Sequence, residues 1–210
     1  MAAVPEQLSL PGLQTTAGHV VLDMPVRRDG PQLYKLFFAL FPSSHDAHRL
    51  ANEVGALCQR LGLVGHQPLA AQRLHITLHT VDDLRDTVPL ALVNAVRAAA
   101  ATVRCAPLPV TFEQALSFQP NDALVLLCDA RSDAAIARLR QCLTLALRRV
   151  GLRTAPSRTP HMTLLYKQRR VPARHIQPLS WTANEFALVL SHTGLTHHQW
   201  IDRWPLVGWR

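Results

Sequence analysis

An α+β fold built from two similar halves is the class this sequence predicts, and three observations carry that prediction. Leu74–Thr80 (LHITLHT) and Pro160–Lys167 (PHMTLLYK) share the pattern His-x-Thr-Leu. About 36 to 38 residues before each histidine lies an apolar run, Leu36–Phe41 (LFFALF) and Ala123–Cys128 (ALVLLC). Each run is followed by a stretch of helical spacing opened by Ser or Asp. Strand, helix, His-x-Thr strand therefore occurs twice, which is the mark of a duplicated structural unit.

Residues 1–34 are rich in Pro, Gly and polar side chains and lack periodicity, so a mobile N-terminal extension is expected there. Residues 35–206 then form one domain with repeat halves at about 35–120 and 121–206. Lys35–Phe41 reads as the first strand, apolar almost throughout and hence buried on both faces. Pro42-Ser43-Ser44 opens a helix to about Leu61, with Leu50, Val54, Leu57, Cys58 and Leu61 at helical spacing and Gly62 as its stop. A connector over residues 64–71, with room for a short strand, leads to the first motif strand, Arg73–Val81. Asp82-Asp83 and Thr87-Val88-Pro89 introduce a helix to about Val103, in which Ala91, Ala95, Ala98 and Ala99 suggest an alanine face laid against a sheet.

Pro107 and Pro109 interrupt before Val110–Phe118, an alternating strand. With the turn cluster Gln119-Pro120-Asn121-Asp122 and the strand Ala123–Asp129 it makes a hairpin. Ser132 or Asp133 caps the second helix of the repeat, which carries Ile136, Leu139, Leu143, Leu147 and Val150 and ends at Gly151. Thr154–Thr159 is a polar loop that delivers His161. Trp181–Ser191 and His197–Leu206 read as two closing strands joined through Thr193-Gly194.

With 210 residues, 48% of them hydrophobic, the chain has enough apolar surface for a core of its own. No apolar run approaches the roughly 20 residues a membrane span needs. The N-terminus lacks the basic and apolar segments of a secretory signal, so a cytoplasmic protein is expected. Cys58, Cys105, Cys128 and Cys142 show no CxxC spacing and read as reduced thiols. The net charge of +8 comes almost wholly from arginine, since Lys35 and Lys167 are the only lysines. Such a balance favours polyanionic partners, but codon composition produces it equally well, so charge supports a phosphate-bearing partner without establishing one.

The motif itself has chemical content. Side chains alternate along a strand, so His75 and Thr77 share one face while Leu74, Ile76 and Leu78 share the other; His161 and Thr163 repeat this against Pro160, Met162 and Leu164. A single such histidine is more often structural than catalytic. Two in repeated contexts, facing each other across a cleft, make a site. Phe38 or Phe41, at the end of the first strand, is a candidate base contact. His192, His197 and His198 flank a turn and read as exposed turn histidines rather than metal ligands. Trp181, Trp200, Trp204 and Trp209 read as packing.

The LFFAL strand, the paired His-x-Thr-Leu strands, the approach Arg158-Thr159-Pro160-His161 and the closing Arg203-Trp204-Pro205-Leu206 together resemble the two-histidine (2H) phosphoesterase superfamily. Within it the chain is most similar to the bacterial RNA 2',3'-cyclic phosphodiesterases, also called 2'-5' RNA ligases. The resemblance covers about residues 33–206. It implies a bilobal α+β fold: two pseudo-symmetric antiparallel sheets, helices outside, and a groove lined by the His-x-Thr strands. It also implies hydrolysis of RNA or nucleotide 2',3'-cyclic phosphates to 2'-phosphates, by a monomer, without metal or other cofactor. Residue by residue, His75 matches the proton donor, His161 the proton acceptor, and Thr77 and Thr163 the phosphate-holding positions.

This sequence departs from relatives in two places. His79-Thr80-Val81-Asp82 stands where they often have Phe and then Leu-Gly, which puts His79 on the polar face by strand parity. Tyr166 stands where many have Arg, with Lys167 next. His79, Arg158, Tyr166 and Lys167 are therefore candidate substrate contacts. The residues suit the chemistry independently. Opening a cyclic phosphodiester takes one proton from water and gives another to the departing ribose oxygen, and histidine titrates near enough to neutrality for either task. Two alternatives stand beside hydrolysis: RNA-end ligation as the main role, or a nucleotide-binding module that has lost turnover.

Overall fold

The computed structural model describes residues 15–16, 19–20, 30–63, 65–119, 121–157, 159–166, 170–195 and 197–208. Two very short strands, β1 (Thr15–Thr16) and β2 (His19–Val20), pair with each other. Then follow β3 (Leu33–Leu40), α1 (Ser44–Arg60), a 3-10 turn (Ala71–Arg73), β4 (Ile76–Arg85), α2 (Leu90–Ala100), β5 (Leu108–Phe118), β6 (Ala123–Cys128) and α3 (Ala130–Arg149). The chain closes with β7 (Ala155–Pro156), β8 (His161–Leu165), β9 (Arg174–Ala183), β10 (Glu185–His192) and β11 (His197–Pro205). The expected mobile extension falls, apart from β1, β2 and residues 30–34, outside the described residues.

The fold is α+β and antiparallel throughout the main sheet, whose order is β11-β10-β3-β4-β8-β6-β5-β9 with β7 added beside β4. Among the described residues its two four-stranded halves meet at one register pair, Ile76↔Met162. The sheet does not divide the chain near residue 120 as the repeat suggests. β5 is bound to β6 by the hairpin Phe118↔Ala123, with Asp122 at φ 48 in its turn, so it stays in the second half. The hairpin β10–β11 returns to the first half, laying β10 along β3 from Ala187↔Ala39 to His192↔Tyr34. Each half thus contains one strand-helix-strand repeat and a pair of added strands.

All three helices contribute to one large apolar cluster, in which Leu50, Val54 and Leu57 of α1, Val93 and Val96 of α2, and Ile136, Leu139, Leu143 and Leu147 of α3 cover Leu36, Phe38 and Leu40 of β3 and Leu124 and Leu126 of β6. A second, smaller cluster on the opposite face of β3 contains Phe37, Ala39, Phe41, Ala187 and Val189, packed by Trp200 and, among the described residues, by no helix residue. Alternation along β3 feeds both faces, which is why that strand is apolar almost throughout. Among the described residues no helix is long and apolar enough to cross a membrane.

Several elements differ from expectation for physical reasons. β4 runs on to Arg85 because Asp82 and Asp83 pair with Leu36 and Lys35, and Lys35 reaches Asp83 at 3.5 Å. α2 buries Val93, Val96, Ala99 and Ala100; Ala91 and Ala98 are exposed, so of the expected alanine face Ala99 is buried, and the contact is shared with the branched side chains of Val93 and Val96. The cap of α3 is Asp129, whose carboxylate accepts from the Ser132 amide at 2.7 Å, while the Ser132 hydroxyl accepts from the Thr111 amide. The stretch Trp181–Ser191 breaks at Asn184, since β9 pairs with β5 and β10 with β3, far apart in the sheet. The connector before the 3-10 turn carries no strand among its described residues.

Phe38 faces the helices, not the groove: it is fully buried, with ring centroids 6.0 Å from Phe186 and 5.9 Å from Trp204. The candidate base contact at Phe38 is therefore corrected to a core residue. Phe38→Ala is expected to lower unfolding free energy by about 3–5 kcal/mol, the usual cost of emptying a buried aromatic site. Urea denaturation with an unchanged m-value checks it.

Candidate active site

The junction of the halves decides what meets what. In an antiparallel pair the two residue numbers sum to a constant, so counting one step either way from Ile76↔Met162 sets His75 opposite Thr163 and Thr77 opposite His161. The two histidines become diagonal neighbours across the junction, with Cα atoms roughly 7–8 Å apart by ordinary sheet geometry. Residues 86 positions apart in the chain thereby share one face, each beside the other motif's threonine. His75, Thr77, His161 and Thr163 are all partly exposed there.

The two rings are held in the same way. His75 Nδ1 donates to the carbonyl of Arg73 at 2.7 Å, and His161 Nδ1 donates to the carbonyl of Thr159 at 2.8 Å. A carbonyl only accepts, so each Nδ1 carries the proton and each Nε2 is left for chemistry. Aromatic walls fix the rings further. His75 stacks on Phe41 at 5.3 Å and 27°, tilts against Phe37 at 5.4 Å, and meets His198 edge-on at 5.3 Å. His161 packs on Phe118 at 4.7 Å.

Burial dominates the electrostatics. It pushes the His75 imidazole down to about 4, with His161 and Arg73 adding repulsion against the bond to the Arg73 carbonyl. His161 is lowered chiefly by burial and then by the Arg140 guanidinium. His198 falls to about 3 through burial, with His75, Arg73, His197 and His192 contributing. The pocket is thus a cluster of neutral imidazoles among cations, an environment suited to an anion.

The structure sorts the remaining candidates. Phe41 lies on the His75 side and, with Trp200 at 4.3 Å, borders a cavity of about 250 Å³ that also touches Ser43, His48, Gln72 and Arg203. Tyr166 is about half exposed just past the end of β8. Arg158 and Lys167 lie outside the described residues. His79 is fully buried and turned toward α3, donating from Nε2 to the Arg140 carbonyl at 2.9 Å and accepting at Nδ1 from Thr154 at 3.2 Å. Strand parity failed there because β4 bulges: Ala39 pairs with Thr77 but Phe38 with His79, so one step on β3 matches two on β4.

Sequence reasoning missed His198, Phe37, Trp200, Phe118 and Arg140. His192 and His198 are not exposed turn histidines: His192 is buried against Tyr34, and His198 is packed on His75. The parity of His198 with Trp200 on β11 was a legible sign that both share a face. Arg140 also left a trace, standing on the apolar stripe of α3 between Ile136 and Leu143. Among the described residues no group of three His, Cys, Asp or Glu side chains gathers as a metal site, and all four cysteines are free.

No curated protein matches the sequence. The family model of the 2'-5' RNA ligase superfamily matches residues 42–195. Among solved structures, E. coli LigT in its apo form is 21% identical with a TM-score of 0.63, the likeness covering 84% of this chain and 99% of that one. E. coli LigT complexed with 3'-AMP is 20% identical with a TM-score of 0.62, covering 83% and 98%. TT0787 of Thermus thermophilus is 20% identical with a TM-score of 0.63, again covering 83% and 98%. At these identities the likeness is one of fold.

A histidine lowered in the folded state binds fewer protons there than in the unfolded chain. Its share of stability is complete above the ordinary value of 6.5 and is lost as pH falls toward about 4 for His75 and about 3 for His198. The thermal midpoint is accordingly expected to drop as pH is lowered through that window. His198→Leu should lessen the drop and leave the midpoint at pH 8 less affected, as read by calorimetry across pH.

Proposed function

The chain belongs to the 2'-5' RNA ligase superfamily, and on that premise we propose that it hydrolyses 2',3'-cyclic phosphates of RNA or nucleotides to 2'-phosphates. The observation that carries this reading is the matched pair of imidazoles. Each is fixed by an Nδ1–H bond to the carbonyl two residues before it, and each offers Nε2 on the same face.

In the proposed reaction the cyclic phosphate sits between the rings. His161 Nε2 takes a proton from water as its oxygen bonds to phosphorus. The P–O3' bond breaks on the opposite side, and His75 Nε2 gives its proton to the departing oxygen. Thr77 and Thr163, one beside each histidine across the junction, donate to the non-bridging oxygens, where negative charge grows in the transition state. The diagonal placement favours in-line displacement, since acid and base approach phosphorus from different strands.

Electrostatics supports the division of labour. Arg140 helps keep His161 neutral, as a base must be. His75 by itself is too weakly basic to hold a proton near neutrality, but a bound phosphate anion supplies the opposite charge that raises it. In the joining of a 2',3'-cyclic phosphate end to a 5'-hydroxyl end the 5'-hydroxyl takes the place of water and the labels are kept; they exchange when the 2'-5' linkage so formed is cleaved by its neighbouring 3'-hydroxyl. The LigT structures complexed with 3'-AMP, ATP, NADP+ and phosphate are consistent with a nucleotide phosphate as the bound group. The net charge of +8 favours a polyanion such as RNA.

His75→Ala and His161→Ala are each expected to reduce turnover of a 2',3'-cyclic nucleotide by about 10²–10⁴-fold, the range for a positioned acid or base. Wild-type turnover should yield the 2'-phosphate. Release of the 3'-phosphate, or no hydrolysis at all, counts against the reading, and joining of RNA ends by the same preparation measures the competing ligase activity. The pH profile gives a second test. kcat/KM reports the free enzyme and should peak on the acid side of neutrality, whereas the kcat profile should lie at higher pH because bound phosphate raises both imidazoles. Coincident profiles would contradict that electrostatic account.

A further inference from the structure

Resting on the reading of His75 and His161 as the acid and base, we propose that Arg140 is a positioning residue for the reaction. Buried behind β4, it pins the Thr77 peptide and presents a permanent positive charge to His161, with His79 as the anchor that keeps its helix turn in register.

Arg140 occupies a core position of α3 and is 5% exposed. Among the described residues no carboxylate pairs with its guanidinium, and its Nε is buried without a hydrogen-bond partner. A buried cation of this kind is costly for folding unless something specific holds it. Here its Nη2 donates to the Thr77 carbonyl at 2.7 Å. Its own backbone carbonyl accepts from His79 Nε2 at 2.9 Å and from the Thr144 hydroxyl at 2.8 Å. One residue of α3 therefore grips β4 on both sides of Leu78, the extra residue of the bulge.

A bulge interrupts its ladder locally and re-aims side chains. At this one it separates Thr77, which faces the groove, from His79, which faces the helices. The Arg140 bond to the Thr77 peptide supplies a hold at the point of interruption, and Thr77 is the residue that presents a hydroxyl opposite His161. Thr154 completes the grip by donating to His79 Nδ1, which leaves His79 neutral with both ring nitrogens engaged.

The charges around the pair are few. His161 is faced by His75 from β4 and Arg140 from α3, with Phe118 of β5 against its ring. Arg140 is faced by Asp133 of its own helix, Cys128 of β6 and His79 of β4. Arg140 is thus the fixed cation among the groups facing His161, and its removal should make that imidazole easier to protonate.

The test compares Arg140→Met, Arg140→Lys, His79→Gln and wild type for 2',3'-cyclic nucleotide turnover, thermal midpoint and the NMR titration of His161. Arg140→Met is expected to lower kcat by about 10–100-fold, the scale of a small misplacement in a positioned site, with KM changed much less. The His161 titration should move to higher pH. Arg140→Lys should return the titration toward wild type, because the charge survives, while restoring the rate only in part, because a single ammonium replaces the planar fork. His79→Gln, which keeps a donor toward the Arg140 carbonyl, should retain most of the activity, and this variant and Arg140→Lys serve if Arg140→Met does not fold. The proposal is overturned if folded Arg140→Met keeps wild-type kcat and His161 titration. It is equally overturned if Met and Lys lose rate and stability alike while the titration stays still. A wild type silent on every cyclic phosphate sinks the functional reading instead, and the His161 titration still decides the role of Arg140.

Discussion

A single antiparallel pair, Ile76↔Met162, is the constraint on which the rest of the molecule depends. It is the shortest ladder along the main strand path among the described residues, and it fixes the register between two halves that carry the same motif. A one-residue slip would turn every following side chain of one strand to the other face. With this register, both imidazoles and both threonine hydroxyls face the same side, and both apolar sets face the helices. Short pairing here also leaves β4 and β8 free to diverge, and β7 fills part of the opening beside β4.

The site so formed is electrostatically prepared for an anion in a particular sense. Its imidazoles are walled by Phe37, Phe41 and Phe118, which lower the local dielectric and hold the rings neutral. Arg73 and Arg140 stand near, neither in an ion pair among the described residues, with Asp133 the carboxylate that faces Arg140. Under the proposed reaction, positive charge beside two neutral acceptors is a state that gains most when a phosphate arrives, because the same event supplies counter-charge and favours protonation of one ring. Aromatic burial and the proposed acid–base function would be two consequences of one packing arrangement.

The buried polar groups behind the site serve the same arrangement. His79 replaces what strand parity would make a groove residue with a fully bonded internal one, tying β4 to α3 and to the loop that brings in His161. That loop also bonds directly to β4, with Ser157 donating to the Leu78 carbonyl at 3.1 Å. The two catalytic candidates are consequently connected through the backbone of β4 as well as across the groove, so displacement of one strand is felt at both.

The chain by itself determined the duplicated strand-helix-strand unit, the apolar two-faced β3, the ends of α1 and α3 at Gly62 and Gly151, and the shared face of His75 with Thr77 and of His161 with Thr163. These are local properties: periodicity, capping chemistry and the alternation of a strand are written in neighbouring residues. What only the tertiary structure decided depends on pairing between distant segments. The bulge that turns His79 inward, the burial of Phe38, the return of β10 and β11 to the first half, and the meeting of His198 with His75 all arise from which strand lies beside which. Parity predicts a face only while a ladder is regular, and partner choice is a competition among all apolar edges of the chain at once, which no single stretch of sequence records.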